Sequence, residues 1–334
     1  MHSRYWNEAN LQLDGNHWQL KKQGQPEVPS IVKFLGEEAV KKHKDSTNRD
    51  SNNMLRVGID PYVHSASFAK EFEDAMKEAA KEELDDDSLS IGALYTSHPN
   101  LVDRVWGDAR PSIPYNAFRV HPMEFAGMSV AAKVKKVREE MKEKKATLAV
   151  FGSLDDVAYL LNVRSMGDVE TCPVGIAYAT ITNDEVNLYC DSRKVDSEEI
   201  KEHLSEVSVK DYDRIVDDIK NHARVGGNKV WIDKLRSNLA LAMVVPDIAL
   251  VDSQNAITPM KACKNDAELE GMRKAHIVDG AAMAKFMAWL ENRVVVEGKA
   301  VSEVEIDDVL TGFRAEQPGF LECSFPTIAG SKTW

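Results

Sequence analysis

Leu148-Ala149-Val150-Phe151-Gly152-Ser153-Leu154-Asp155-Asp156-Val157-Ala158-Tyr159-Leu160-Leu161 spells a strand, a turn and the opening of a helix. The run 148–151 is continuously apolar, without the alternation of a half-exposed strand. That is the pattern of a strand buried on both faces, with helices packed above and below it. Ser153 is a residue type that caps helices, and Asp155 and Asp156 fall in the first turn, where the helix dipole favours carboxylates. That placement accounts for the acidic pair without invoking general acid–base chemistry.

The pattern continues on either side. Upstream, 129–145 predicts a helix with Val130, Val134, Val137 and Met141 as its buried stripe. Downstream, 174–182 and 186–190 flank Asn183-Asp184-Glu185 as a hairpin, and 198–204 and 214–222 are helical. Gly226-Gly227 is a turn, 229–233 a strand, and Ser237 can cap a short helix that Pro246 ends. Strands alternating with helices give an α/β domain over 123–258.

Before it, 55–59 reads as a strand stopped by Asp60-Pro61. Residues 67–84 read as a helix with Phe68, Phe72, Met76 and Ala79 on one face, ended by Asp85-Asp86-Asp87. That acidic triplet lacks the spacing and glycine turn of an EF-hand and reads as a solvated loop. Tyr5, Trp6 and Trp18 are expected to anchor a core, 45–53 to form a polar loop, and the Pro- and Gly-rich stretch 107–128 to mark a boundary. The first domain is therefore 1–122.

A third segment, 259–334, follows. Asn265-Asp266-Ala267-Glu268 has the form of a capping box. The helix it opens runs to about 292, with Leu269, Met272, His276, Met283, Phe286, Met287 and Leu290 on one broad face. Residues 301–313 predict a second helix, with Val304, Val309, Leu310 and Phe313 facing inward, and 320–328 a short strand. Two helices and one strand are marginal as a unit, so this segment is expected to be the least stable part and 125–258 the most protease-resistant.

The chain has 334 residues, with 42 Lys and Arg against 54 Asp and Glu, a net charge of −12. That balance argues against nucleic acid and against an anionic membrane surface. A hydrophobic fraction of 43% excludes a disordered chain. No apolar run approaches a bilayer span, and the opening residues do not form a signal peptide. Cys172, Cys190, Cys263 and Cys323 are far apart and are expected to be free, buried thiols in a reducing, cytoplasmic compartment. The chain holds no P-loop, no Gly-x-Gly-x-x-Gly, no His-Glu-x-x-His and no Gly-x-Ser-x-Gly. His276 and Asp279, three apart on a helix, are the nearest to a metal pair, but a third ligand is missing.

Several stretches together carry a resemblance. They are Gly58-Ile59-Asp60-Pro61, 100–106, Asp155 to Arg164, Gly167-Asp168-Val169-Glu170, Lys261 to His276 and Ser324-Phe325-Pro326-Thr327-Ile328. In this order the chain resembles the cytosolic Xaa-Pro aminopeptidases of the pita-bread metallopeptidase family, with Tyr159 where the family usually has Trp. The resemblance implies an α/β fold: two creatinase N-terminal-like domains, 1–122 and 123–258, and the beginning of a pita-bread catalytic domain, 259–334. It implies a hydrolase that uses two divalent metal ions, usually manganese, to remove the residue preceding proline from peptides. It also implies a homodimer. In the family the metal ligands (two Asp, one His and two Glu) lie beyond the Ser-Phe-Pro-Thr-Ile strand, and a strand–helix unit precedes the point where Arg4-Tyr5 matches. The expectation is thus a chain short at both ends and inactive alone. No residue of this sequence is assigned a catalytic, cofactor-binding or metal role. The alternative is a non-catalytic binding module, as some pita-bread relatives have become.

Overall fold

The computed structural model describes residues 5–45, 54–86, 88–97, 99–325 and 327–330. They form two compact units: residues up to Arg110 with Asn238–Ala240, and Pro111–Ser237 with the residues from Leu241 onward.

The first unit contains α1 (Trp6–Gln12), α2 (Ile31–Asp45), β1 (Leu55–Ile59), α3 (Ala66–Leu84), β2 (Gly92–Thr96) and α4 (Leu101–Trp106). β1 and β2 run parallel, so they need a crossover, which α3 supplies. Phe72, Met76 and Ala80 of α3 meet Ala39 and Val40 of α2 and Ile91 in one small core. Asp85 ends α3 in the left-handed conformation, φ 57°, with its N–H on the Ala80 carbonyl, so the acidic triplet begins as a helix cap. Two expected core anchors are not buried: Tyr5 is 44% and Trp18 66% exposed. α1 has only 7 residues and offers too little face to cover them. The polar loop expected at 45–53 lies, beyond Asp45, outside the described residues.

The second unit contains β3 (Phe118–Val120), α5 (Met123–Ala126), α6 (Val130–Glu143), β4 (Leu148–Phe151), α7 (Leu154–Leu160), β5 (Val163–Ser165), β6 (Tyr178–Thr182), β7 (Val186–Tyr189), α8 (Glu198–His203), β8 (Ser208–Lys210), α9 (Arg214–Arg224) and β9 (Val230–Ile232). The chain continues through α10 (Leu239–Ala242), β10 (Leu250–Asp252), α11 (Ile257–Ala262), α12 (Asp266–Glu291) and α13 (Glu303–Ala315). Its main sheet has the order β10-β9-β4-β6-β7-β8. β10, β9 and β4 are mutually parallel, β6 is antiparallel to both β4 and β7, and β8 runs parallel to β7. β3 and β5 form a separate antiparallel ribbon.

β4 sits inside the sheet with all of its residues buried. Ala149 and Phe151 enter one core with Val134, Val137 and Met141 of α6, while Leu148 and Val150 enter the other with Ile215 and Ile219 of α9. Burying the Val134, Val137 and Met141 side chains contributes about 1.5–3 kcal/mol each, which fixes α6 against the sheet. Ser129 caps α6 by accepting the Ala132 N–H at 3.2 Å.

Several features depart from the sequence reading or add to it. The hairpin strand begins at Tyr178 rather than 174. α11 forms across Thr258-Pro259, because a proline in a first helical turn forfeits only an N–H that has no helical partner. No strand forms among the described residues of 320–328, where Phe325 is 63% and Ile328 69% exposed, since no neighbouring strand offers a ladder. The capping box of α12 is present: Asn265 accepts the Glu268 N–H, and Glu268 accepts the Asn265 N–H. Of the broad face expected on α12, only Phe286 is buried, together with Ala282, and Met272 and Met287 remain exposed. On α13, Leu310 is buried, but Val304 is 70% exposed rather than inward-facing.

Candidate functional site

A dense polar constellation grows out of the stretch 153–156. The first turn of α7 brings Asp155 and Asp156 beside the loop after β9 and beside α11. Asp156 is fully buried. Its Oδ2 accepts from Arg236 Nε at 2.9 Å and from Asn255 Nδ2 at 2.9 Å, and Arg236 Nη2 donates to Oδ1 at 3.2 Å. Arg236 Nη2 also donates to Asp155 at 2.7 and 2.8 Å, and the Lys261 ammonium pairs with both carboxylates. Asn255 in turn accepts the Ile257 and Thr258 N–H groups at the start of α11, at 2.9 and 3.0 Å. Burial pushes the Asp155 carboxyl up, but Lys261 and Arg236 outweigh it and hold it below the usual carboxylate range. The Ser153 hydroxyl does not cap α7; it donates to the Arg236 carbonyl at 3.0 Å. The pair is therefore a clamp joining α7, the β9 loop and α11, and it offers no free base.

Asp168, in the motif after β5, has the same character. Its side chain and that of Lys194 are fully buried as an ion pair. Asp168 also accepts the Asn116 and Ile176 N–H groups at 2.9 and 2.8 Å. Burial raises its carboxyl pKa, and these donors together bring it below the ordinary value.

The residues nearest to a metal pair are otherwise engaged. His276 Nδ1 lies 2.8 Å from the Met272 carbonyl, and Asp279 accepts from Arg314 Nε of α13 at 2.7 Å. Both line a cleft between α12, α13 and the segment 320–328, with Met283, Leu310 and Phe325. Among the described residues, no group of three or more His, Cys, Asp or Glu could hold a metal ion, so these residues do not fit a dinuclear centre. The four cysteines are free, but only Cys190 is buried, where burial pushes its thiol up to about 12. Cys172 and Cys323 are half-buried and Cys263 is exposed, contrary to the expectation of four buried thiols. No helix among the described residues is long and apolar enough to cross a membrane.

Residues 109–268 match the family model of the creatinase/prolidase N-terminal domain, and 270–333 that of metallopeptidase family M24. A probable Xaa-Pro aminopeptidase P of Paracoccidioides lutzii is 36% identical over 98% of the chain. The chain is thus similar in sequence to Xaa-Pro aminopeptidases. The corresponding Botryotinia fuckeliana protein is likewise 36% identical over 98% of the chain. The crystal structure of X-prolyl aminopeptidase from Caenorhabditis elegans, described as a cytosolic enzyme with a dinuclear active site, superposes with a TM-score of 0.82 at 29% identity over 97% of the chain. The chain spans about half the length of these relatives: 51%, 48% and 49% respectively. The mixed α/β architecture, with its creatinase N-terminal-like and M24 parts, agrees with the sequence reading. The matched M24 family is one of metallopeptidases, and the dinuclear site is that of the C. elegans enzyme. The sequence reading missed Arg236, Asn255 and Lys261 as partners of the acidic pair. Arg236 lies 80 residues from Asp156, and no periodic signal links them.

Proposed function

We propose that these residues belong to an Xaa-Pro aminopeptidase that removes the N-terminal residue preceding proline from peptides, and that they supply its scaffold rather than its chemistry. The observation that carries this reading is unbroken relatedness to such aminopeptidases along 97–98% of the chain. In this reading 1–122 and 123–258 are two creatinase N-terminal-like domains, and 259–334 opens the pita-bread domain. Substrates are peptides with proline in second position. The metals of the whole enzyme are two divalent cations, manganese by preference, held by residues other than those described. The protein is a cytoplasmic homodimer with no nucleic-acid or membrane partner, consistent with its net charge of −12.

The 334 residues by themselves are inactive. The purified chain, supplied with manganese and a short peptide with proline in second position, should release no amino acid; turnover abolished by a chelator would overturn the scaffold role. The reading frame beyond codon 334 tests the enzymatic reading separately. Two Asp, one His and two Glu in ligand order support it, and replaced ligands would make the protein a non-catalytic binding module.

A further inference from the structure

β3 and β5 pair antiparallel with Phe118 opposite Ser165, Arg119 opposite Arg164 and Val120 opposite Val163. Two arginines therefore stand directly across from each other, and both are half-buried. Like charges in that position destabilise a ribbon, and a desolvated charge normally finds a carboxylate. Among the described residues neither arginine has an ion-pair partner. Arg119 Nε is buried with no hydrogen-bond partner, and Arg119 Nη2 reaches only the Met166 sulfur, at 3.9 Å. Arg164 Nη1 donates to the Ala158 and Val163 carbonyls at 3.1 and 2.9 Å, which orients its guanidinium without neutralising it.

The surroundings add positive charge. Lys133 is fully buried, with its ammonium on the Tyr159 carbonyl and Asn162 Oδ1 at 2.7 and 2.6 Å. Glu268, at the start of α12, is the carboxylate whose field acts on both Arg164 and Lys133. It is committed to the capping box, accepting the Asn265 N–H at 2.9 Å, and it can offset only one of Arg119, Arg164 and Lys133. Burial, followed by the charge of Arg119, lowers the pKa of Arg164.

We propose that the facing Arg119 and Arg164 form a binding site for an oxyanion, carboxylate or phosphate, which supplies the negative charge this ribbon lacks. Guanidinium groups present planar forks of N–H donors that match both anions, and two forks on adjacent strands can grip one ligand from two sides. The site is independent of the peptidase reading, because it rests on the ribbon alone.

The test is a titration of the full chain with inorganic phosphate and, separately, with acetate, each against sodium chloride at matched ionic strength, with Tm and titration calorimetry as readouts. A saturable rise in Tm with either anion beyond the chloride control supports the site. Response to acetate alone marks a carboxylate site, and response to phosphate alone a phosphate site. Arg119→Gln should weaken that binding at least about tenfold while leaving Tm in chloride equal or higher, since it removes an unpaired half-buried charge. Arg119→Lys, which keeps the charge but loses the fork, should bind with intermediate affinity. Equal responses to phosphate, acetate and chloride in the unmodified chain would overturn the proposal, as would undiminished affinity in Arg119→Gln.

Discussion

Arg236 Nε donates to Asp156 Oδ2 at 2.9 Å across 80 residues of sequence, and the carboxylate it meets is fully buried. One side chain thus binds the end of the β9 loop to the start of α7, and Lys261 extends the hold to α11. Removing Asp156 leaves Arg236 and Lys261 with the half-exposed Asp155 as their remaining carboxylate and takes the acceptor from the buried Asn255 amide. Asp156→Ala should lower stability by about 3–5 kcal/mol in urea denaturation. Combining it with Arg236→Ala should cost less than the sum of the single substitutions, and strict additivity would show that the two do not interact.

His121 stacks on Phe125 with ring centroids 6.0 Å apart. Burial, and then the charges of Arg164, Lys133 and Arg119, lower its pKa from 6.5 to about 4. The unfolded chain therefore takes up a proton between pH 6.5 and 4 that the folded chain refuses. The stabilising contribution is complete above pH 6.5 and is lost as pH falls towards 4. His121→Gln should flatten that part of the stability profile; an unchanged slope would remove His121 as its source.

Gly175 lies against the Phe118 ring, and a methyl group there would collide with ring atoms. Phe118 is itself buried, 4% exposed, so the ring has little room to retreat. Gly175→Ala should destabilise by about 1–3 kcal/mol through overpacking. Phe118→Leu in the same chain should recover part of the loss, as read from the shift in the urea midpoint.

Limited proteolysis should sort the elements by how they are held. Val295, Val296 and Val304 are 73%, 75% and 70% exposed, in and just after the turn that closes α12. The sheet strands β4, β6, β7 and β9 are almost wholly buried. Early cuts are expected at 292–304, with a resistant fragment over about 125–258, identified by mass spectrometry. A fragment covering 259–330 that outlasts it would contradict this order.

What the sequence made legible was local. The stripe Val134, Val137, Met141 placed α6, the unbroken run 148–151 placed a strand buried on both faces, and Asn265 with Glu268 placed the start of α12. What it hid was non-local. The order of strands around β4 depends on crossovers that leave no mark in any short window. The acidic pair at 155 and 156 was placed in the correct turn, but its cations come from Arg236 and from Lys261, the latter 106 residues from Asp155. The strand expected at 320–328 shows the converse: apolar residues with the right local preference stay irregular when no neighbouring backbone completes the ladder. Asp168 stood out within a family motif, but its role as a buried partner of Lys194 could be read only from the fold.

The main sheet ends in β8 and β10, each 3 residues long. Strands so short give an incoming chain almost no row of free amides on which to grow, and Lys210 and Asp252 close those edges with charge. Growth of the main sheet by strand addition is therefore disfavoured, and the apolar surface left for self-association of this unit is the exposed Ile277, Met287, Val295 and Val296 of α12 and the turn after it. Clumps formed at high concentration should be amorphous and salt-sensitive, without the ordered cross-strand stacking of fibrils.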